Sequence, residues 1–268
     1  MREMKKITGL LMAVFLLLSS CGSVPLTGRK QVLLVSDQEV LSSSLTQYSD
    51  YMKSAKKSSS KDGAAMVTRV GKKIAAATEQ YLRNNGLESE IKNFAWEFNL
   101  VNDPQVNAFC MPGGKIVVYE GLMQLVSSDD ELAVVVGHEV AHAVAKHSNE
   151  RMSQQLMAQY GAQILGQALS NKSAAVQKIG ASVYGLGAQY GVMLPFSRKH
   201  ESEADYMGLV FMAMAGYNPA VAVNFWQKMS AGKSGSTPEF MSTHPSDATR
   251  INEIKQHLPE IEKYRVKK

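Results

Sequence analysis

The chain is poor in cysteine, has no block of basic residues apart from its last few positions, and contains no long apolar run past its first twenty residues. Each absence excludes something. Only Cys21 and Cys110 are present among 268 residues, and Cys21 is assigned below to a processing signal, so Cys110 has no disulfide partner in the chain. Its neighbours Phe109 and Met111 predict a buried thiol; a regulatory or zinc-contacting thiol is the alternative. The formal net charge is +5, with Lys and Arg scattered except at Lys263 to Lys268, which reads as a solvated tail. A nucleic-acid footprint is therefore absent. Between Ser153 and Val192 the chain is rich in Ala, Gly, Gln and Met, but Gln154, Gln155, Gln163, Gln167, Asn171, Lys172 and Lys178 interrupt every apolar stretch. No run there reaches the ~18 residues of a spanning helix. One or two amphipathic helices are expected, either as a lid or as loosely packed elements. A hydrophobic fraction of 45% excludes gross disorder and fits one large core.

The N-terminus reads as an address. Arg2, Lys5 and Lys6 precede an apolar stretch, Ile7 to Leu18, that is short for a membrane span. Leu18-Ser19-Ser20-Cys21 then resembles the bacterial lipobox, in which the cysteine is acylated and becomes the first mature residue. A simple secretory signal or an anchor with a chance cysteine is the alternative. Acylation at Cys21 would tether the protein to a membrane outside the cytoplasm. Gly22 stands where an aspartate would signal inner-membrane retention, which favours an outer-membrane lipoprotein facing the periplasm.

The chemistry starts at His138-Glu139-Val140-Ala141-His142. Histidines four apart lie on one helix face, one turn above the other, so both imidazoles can reach one ion. A carboxylate directly after the first can act on a ligand of that ion. This is the zinc-peptidase pattern, with His138 and His142 as ligands and Glu139 as general base. The pattern is short, and an amphipathic helix with unrelated histidines is the alternative. The lead-in Leu132 to Gly137 is continuously apolar and marks a buried helix.

Around the motif, Ser36 opens a helix running to about Ala55, and Ala64 to Asn84 forms a second, with Val67, Val70, Ile74 and Leu82 at helical spacing. Phe94 to Val101 and Lys115 to Tyr119 read as strands, Asn107 to Phe109 as a short one, and Gly121 to Val126 as a short helix. In zinc peptidases an edge strand often binds substrate main chain to main chain, and Asn107, Ala108 and Phe109 are the candidates. An ordinary hairpin arm is the alternative. Downstream, Glu201 and Asp205 are four apart at the start of an apolar helix. Glu201 can complete a His, His, Glu site, and Asp205 can orient a metal-bound histidine. Glu203 lies off that face and is expected to be solvated. A helix from Asn218 to about Met229, a Gly/Ser-rich loop from Ser230 to Pro238, and a last helix from Asp247 to His257 follow. His244, in the loop before that helix, is a candidate lid ligand or transition-state donor.

Four segments in order, VNAFCMPGGKIVVYEGLM, ELAVVVGHEVAHAVAKH, FSRKHESEADYMG and STHPSDATRI, resemble the gluzincin metallopeptidases of the HtpX and CAAX prenyl protease family. The likeness is to the soluble periplasmic lipoprotein branch, with the BepA-like and LoiP-like peptidases. The resemblance implies an α+β, mainly helical, zincin-like domain holding one Zn2+. His138, His142 and Glu201 are then ligands, Glu139 the base and Asp205 the orienting neighbour. It also implies that His244 occupies the open zinc position at rest and that Arg250 supports the site. The metzincin pattern is excluded, because it needs Gly and His where Ala145 and Ser148 stand.

The expected organisation is a signal peptide at 1–20, a lipid-anchored tether at 21–35 and a zinc metallopeptidase domain at 36–268. The expected activity is endopeptidase cleavage of misfolded or misassembled envelope proteins, with the membrane as a second partner through Cys21. A zinc-containing lipoprotein chaperone or assembly factor with little proteolysis is the alternative.

Overall fold

The computed structural model describes residues 21–189, 193–231, 240, 244 and 248–266. The expected signal peptide lies outside them, as do most of the Gly/Ser-rich loop and Asp247, the expected start of the last helix. The chain forms two compact units: Met1–Val40 with Lys146–Ser197, and Leu41–Ala145 with Arg198–Lys268.

Strands β1 (Cys21–Ser23) and β2 (Lys30–Val32) form an antiparallel hairpin in the first unit. The sequence predicts a tether here, yet Val24 and Gln31 are buried. Helix α1 (Asp37–Ser54) follows and continues into the second unit. Next come α2 (Lys61–Asn84) and the single turn α3 (Glu88–Ile91). The Ser60 side chain caps α2 by accepting from the Gly63 N–H at 3.1 Å, and the helix buries the expected Val67, Val70, Ile74 and Leu82.

Strands β3 (Glu97–Val101), β4 (Ala108–Met111) and β5 (Lys115–Tyr119) form the second unit's sheet, in the order β3-β5-β4. β5 is central, parallel to β3 and antiparallel to β4. Gly113 and Gly114, between β4 and β5, take φ of 95° and 79°, which residues with a Cβ rarely adopt. The outer edge of β3 is covered by residues 56–58, through Ser58 N–H to Leu100 O at 2.9 Å and Asn102 N–H to Lys56 O at 2.7 Å. β4 forms the opposite edge of the sheet.

After the turn α4 (Glu120–Met123) comes the motif helix α5 (Asp129–Val144), packed on α2 and on β4. Ser128 caps it by accepting from Glu131 N–H at 3.2 Å, while the Glu131 carboxylate accepts from Ser127 N–H at 2.7 Å. Asp129, Asp130 and Glu131 in its first turn oppose the positive helix end. Leu132 to His142 is continuously buried, so α5 is enclosed on every side.

Helices α6 (His147–Ala168) and α7 (Ala174–Ala188) belong to the first unit and pack on each other. They are the two amphipathic helices expected from the sequence. Arg29 makes a two-pronged ion pair with Glu150, at 2.9 and 2.7 Å, and Leu34 N–H donates to Ser153 Oγ at 2.8 Å. The N-terminal segment is thereby fastened to the first turns of α6. Helix α8 (Leu194–Met214) returns to the second unit, which ends with α9 (Val221–Ala231) and α10 (Ala248–Ile261). Among the described residues no helix is long and apolar enough to cross a membrane.

Candidate metal centre

Two helices supply most of the centre, and they meet backbone to backbone. Gly137, directly before His138, faces Gly208 on α8. A methyl group on Gly208 would lie 2.7 Å from both the Gly137 carbonyl carbon and the His138 nitrogen. A methyl on Gly137 would lie 2.8 Å from the Gly208 oxygen. Only paired glycines permit this approach, which sets Glu201 and Asp205 against the two histidines.

The structure brings His138, His142, Glu201 and His244 together, one donor atom of each lying within 4.8 Å of all the others. His138 Nε2 is 3.0 Å from His142 Nε2 and 3.3 Å from Glu201 Oε2, and His142 Nε2 is 3.4 Å from Glu201 Oε1. Those separations fit one small ion. Four ligands at about 2.0–2.1 Å in a tetrahedron stand about 3.3 Å apart. Imidazole nitrogens and a carboxylate are also the donors that zinc takes. His244 Nδ1 lies 3.1 Å from Glu201 Oε2 and 3.3 Å from His138 Nε2, so it sits where a fourth donor would. Cys110 is not a member of the cluster.

Asp205 and Arg250 stand behind the donors. Asp205 Oδ1 is 3.0 Å from His138 Nδ1, which fixes the proton on Nδ1 and turns the Nε2 lone pair inward. Arg250 grips Asp205, with Nη2 to Oδ1 at 2.8 Å and Nε to Oδ2, and its Nη1 is 3.3 Å from Glu201 Oε2. The guanidinium lies over the Trp226 ring at 4.6 Å, and its Nη1 also reaches the His244 carbonyl at 3.3 Å. Burial opposes a negative Asp205, yet the charge and hydrogen bonds of Arg250, with His138, hold its carboxyl below the usual range. Burial likewise opposes Glu201, and hydrogen bonds from His138, His142 and His244 outweigh it, so Glu201 stays ionised. Without an ion, burial pulls His142 down to about 3. His138 is opposed by burial but raised to about 9 by Asp205 and Glu201.

Glu139 is held from the sheet. The main-chain N–H of Cys110 donates to its Oε2 at 3.1 Å. Its Oε1 is buried, has no hydrogen-bond partner among the described residues, and lies 3.4 Å from His244 Nε2. Burial raises the Glu139 carboxyl above its ordinary value. The alternation of the β4–β5 ladder explains the contact. Asn107 O accepts from Tyr119 N–H at 3.1 Å and Phe109 pairs with Val117, so the intervening Ala108 and Cys110 direct their main-chain groups to the open edge.

Of the residues expected from the sequence, His138, Glu139, His142, Glu201, Asp205, His244 and Arg250 converge. The candidate edge strand forms one residue later than expected. Asn107 precedes it, with its side chain accepting from Ala108 N–H at 2.9 Å. Phe109 packs edge-on against Tyr51, its ring centroid 5.3 Å away. Glu203 is a correction: it is buried, because Ala204, Met207, Leu209, Val210 and Phe211 bury α8 on more than one face, and it is no member of the donor cluster. Cys110 is free and half-buried, its thiol pushed up by burial and by the nearby Glu139 charge. No sequence pattern marks the Cys110 N–H, the glycine pair or Trp226, whose ring packs edge-on to His138 at 5.6 Å.

A His, His, Glu donor set on two buried helices, with a carboxylate held beside it by the edge of a small sheet, defines a zincin-like peptidase domain. Residues 68–258 match the model of peptidase family M48, and the chain belongs to that family. It is 36% identical over 205 residues to the mitochondrial metalloendopeptidase OMA1 of Schizosaccharomyces pombe, covering 73% of this chain and 53% of that protein. To the human mitochondrial metalloendopeptidase OMA1 it is 28% identical over 254 residues, 90% of this chain and 46% of that one. To the beta-barrel assembly-enhancing protease of Yersinia pestis it is 33% identical over 174 residues, 60% and 36% of the two chains. The chain thus spans about half the length, or less, of these relatives. Their names divide between a mitochondrial and a bacterial group, so the match supports the family and not the lipoprotein branch suggested by the motifs.

Proposed function

We propose that the chain is a zinc-dependent endopeptidase of the bacterial cell envelope. The observation that carries the proposal is the placement of Glu139, with one oxygen held by Cys110 N–H and the other 3.4 Å from His244 Nε2 beside the donor cluster. His138, His142 and Glu201 are the proposed ligands of one Zn2+. Zinc in such a site supplies Lewis acidity, lowering the pKa of bound water and polarising the scissile carbonyl. The rest falls to the protein. Asp205 keeps His138 in the tautomer that offers Nε2. Arg250 pairs with Asp205 behind the ligands and reaches Glu201 among them. The edge at Ala108 and Cys110 is proposed to take the substrate as an added strand through its outward carbonyls, since Asn107 Oδ1 and Glu139 Oε2 already hold the two N–H groups, and the strand presents its scissile carbonyl at the cluster. Glu139 accepts the proton of the attacking water and returns it to the leaving amine. His244, with Nδ1 3.1 Å from Glu201 Oε2 and 3.3 Å from His138 Nε2, would act as a fourth donor to a bound ion and so would compete there with water and substrate.

The envelope location rests on the lipobox-like sequence ending in Cys21. A substrate class of misfolded or misassembled envelope proteins is supported by the likeness to a beta-barrel assembly-enhancing protease. Zinc analysis with a casein-cleavage assay on the wild type and Glu139→Gln tests the activity. One zinc per chain in both, with cleavage only in the wild type, is expected. A zinc-loaded wild type that cleaves no unfolded protein would leave the chaperone or assembly-factor function instead.

A further inference from the structure

The chain carries no aspartate or glutamate from Arg151 to His200, a stretch that includes nearly all of the α6–α7 hairpin. Water-exposed helices ordinarily mix both signs of charge. Here the only charges between Met152 and Gln189 are Lys172, in the turn, and Lys178, on the first turns of α7, both exposed.

The hairpin also leaves apolar side chains facing out. Its helices meet each other at Tyr184, whose hydroxyl donates to Ala158 O at 3.0 Å, and around an apolar groove lined by Leu165, Leu169 and Ala181. A second stripe on each helix is exposed, with no partner among the described residues. On α7 it is Val176, Ile179, Val183 and Leu186, at helical spacing, with Ile179 63% and Val183 65% exposed. On α6 it includes Tyr160 and Ile164, the latter 67% exposed. Scattered exposed apolar residues need no partner, but stripes at helical spacing on a hairpin with no carboxylate beyond Glu150 do.

We infer that the α6–α7 hairpin lies on a lipid bilayer bearing anionic headgroups, with the apolar stripes at the acyl boundary and Lys172 and Lys178 among the phosphates. The composition is that of an interfacial amphipathic element: apolar on one side, uncharged polar or cationic on the other. Charge selects this occupant over a second copy of the chain. Paired helices take their register from opposite charges flanking the apolar seam, and two such hairpins would oppose lysine to lysine with no carboxylate to match. Anionic lipid provides the missing sign. Position agrees, because the hairpin shares its compact unit with the N-terminal segment that begins at Cys21. The inference stands on the hairpin surface alone and does not depend on cleavage by the metal centre.

Hydrogen–deuterium exchange of the full chain tests it, in vesicles of phosphatidylethanolamine with phosphatidylglycerol, in phosphatidylcholine vesicles, and in detergent. Exchange across 152–189 is expected to slow at least about tenfold in the anionic vesicles relative to detergent, with a smaller effect in phosphatidylcholine and none across α2. The double variant Ile179→Glu with Val183→Glu changes only exposed side chains. It should lose the protection. Equal exchange in vesicles and detergent would overturn the inference. So would protection that appears without lipid and grows with protein concentration, which would make the hairpin a self-association surface. Protection of equal size in phosphatidylcholine would overturn the role of charge.

Discussion

Gly208 touches Gly137 where the two ligand-bearing helices cross, and the contact is main chain on main chain. It sets the depth at which Glu201 meets His138 and His142. A side chain at either position must push the helices apart, since backbone rather than a flexible side-chain end is what it meets.

Gly208→Ala is therefore expected to lower stability by about 1–3 kcal/mol, as overpacking does, and to weaken metal binding at the same time. Denaturation midpoints and zinc content of the purified variant check this. A variant as stable and as zinc-loaded as the wild type would show that the crossing has slack.

The carboxylate proposed to bind metal is told apart from its neighbour in a paired experiment. Glu201→Ala should lose zinc, while Glu203→Ala should retain it, although Glu203 is buried and its loss can cost stability. Equal zinc content in the two variants would reject Glu201 as the ligand.

Asp205→Asn retains the shape but not the charge that orients His138 and answers Arg250. Outer partners of metal ligands are worth about 10–100-fold in affinity, and a chelator titration should show a loss of that size. Arg250→Met leaves Asp205 as an uncompensated buried charge and should destabilise by about 3–5 kcal/mol. Wild-type stability in Arg250→Met would mean that the ion pair does not hold the site together.

The Cys110 N–H lies off the β4–β5 ladder, so proline there removes the bond to Glu139 without breaking sheet pairing. A hydrogen bond to a charged group is worth about 1.5–3 kcal/mol, and Cys110→Pro should lower kcat by roughly ten- to a hundredfold with zinc unchanged. Cys110→Ser, which retains the N–H, should not. Equal effects in the two would assign the role to the thiol.

What was legible in the sequence was whatever recurs at fixed spacing along one helix. His138 and His142, and Glu201 and Asp205, are each four apart, and that spacing alone places each pair on one face. Strand β5 showed itself by its β-branched run, and α2 by the period of Val67, Val70, Ile74 and Leu82. The missed features depend on residues distant in sequence. Gly137 and Gly208 carry no side-chain pattern, and their meaning appears only when the helices cross. The Cys110 contribution is a backbone group, which the identity of the residue does not announce. Glu203 looked solvated because periodicity assigns it to another face of α8, but the fold encloses that face too. Within the expected tether at 21–35, Val24 and Gln31 are buried, which Pro25 and Gly28 do not announce.

The central claim is that Glu139 moves the proton at a site whose ligands lie elsewhere. Glu139→Gln preserves size and the acceptor for Cys110 N–H while removing the base. The measurement is peptide-bond cleavage by Glu139→Gln and wild type at matched, verified zinc content. The account predicts full zinc occupancy with cleavage reduced at least about a hundredfold, the usual contribution of a general base. Cleavage at the wild-type rate by the zinc-loaded variant would contradict it.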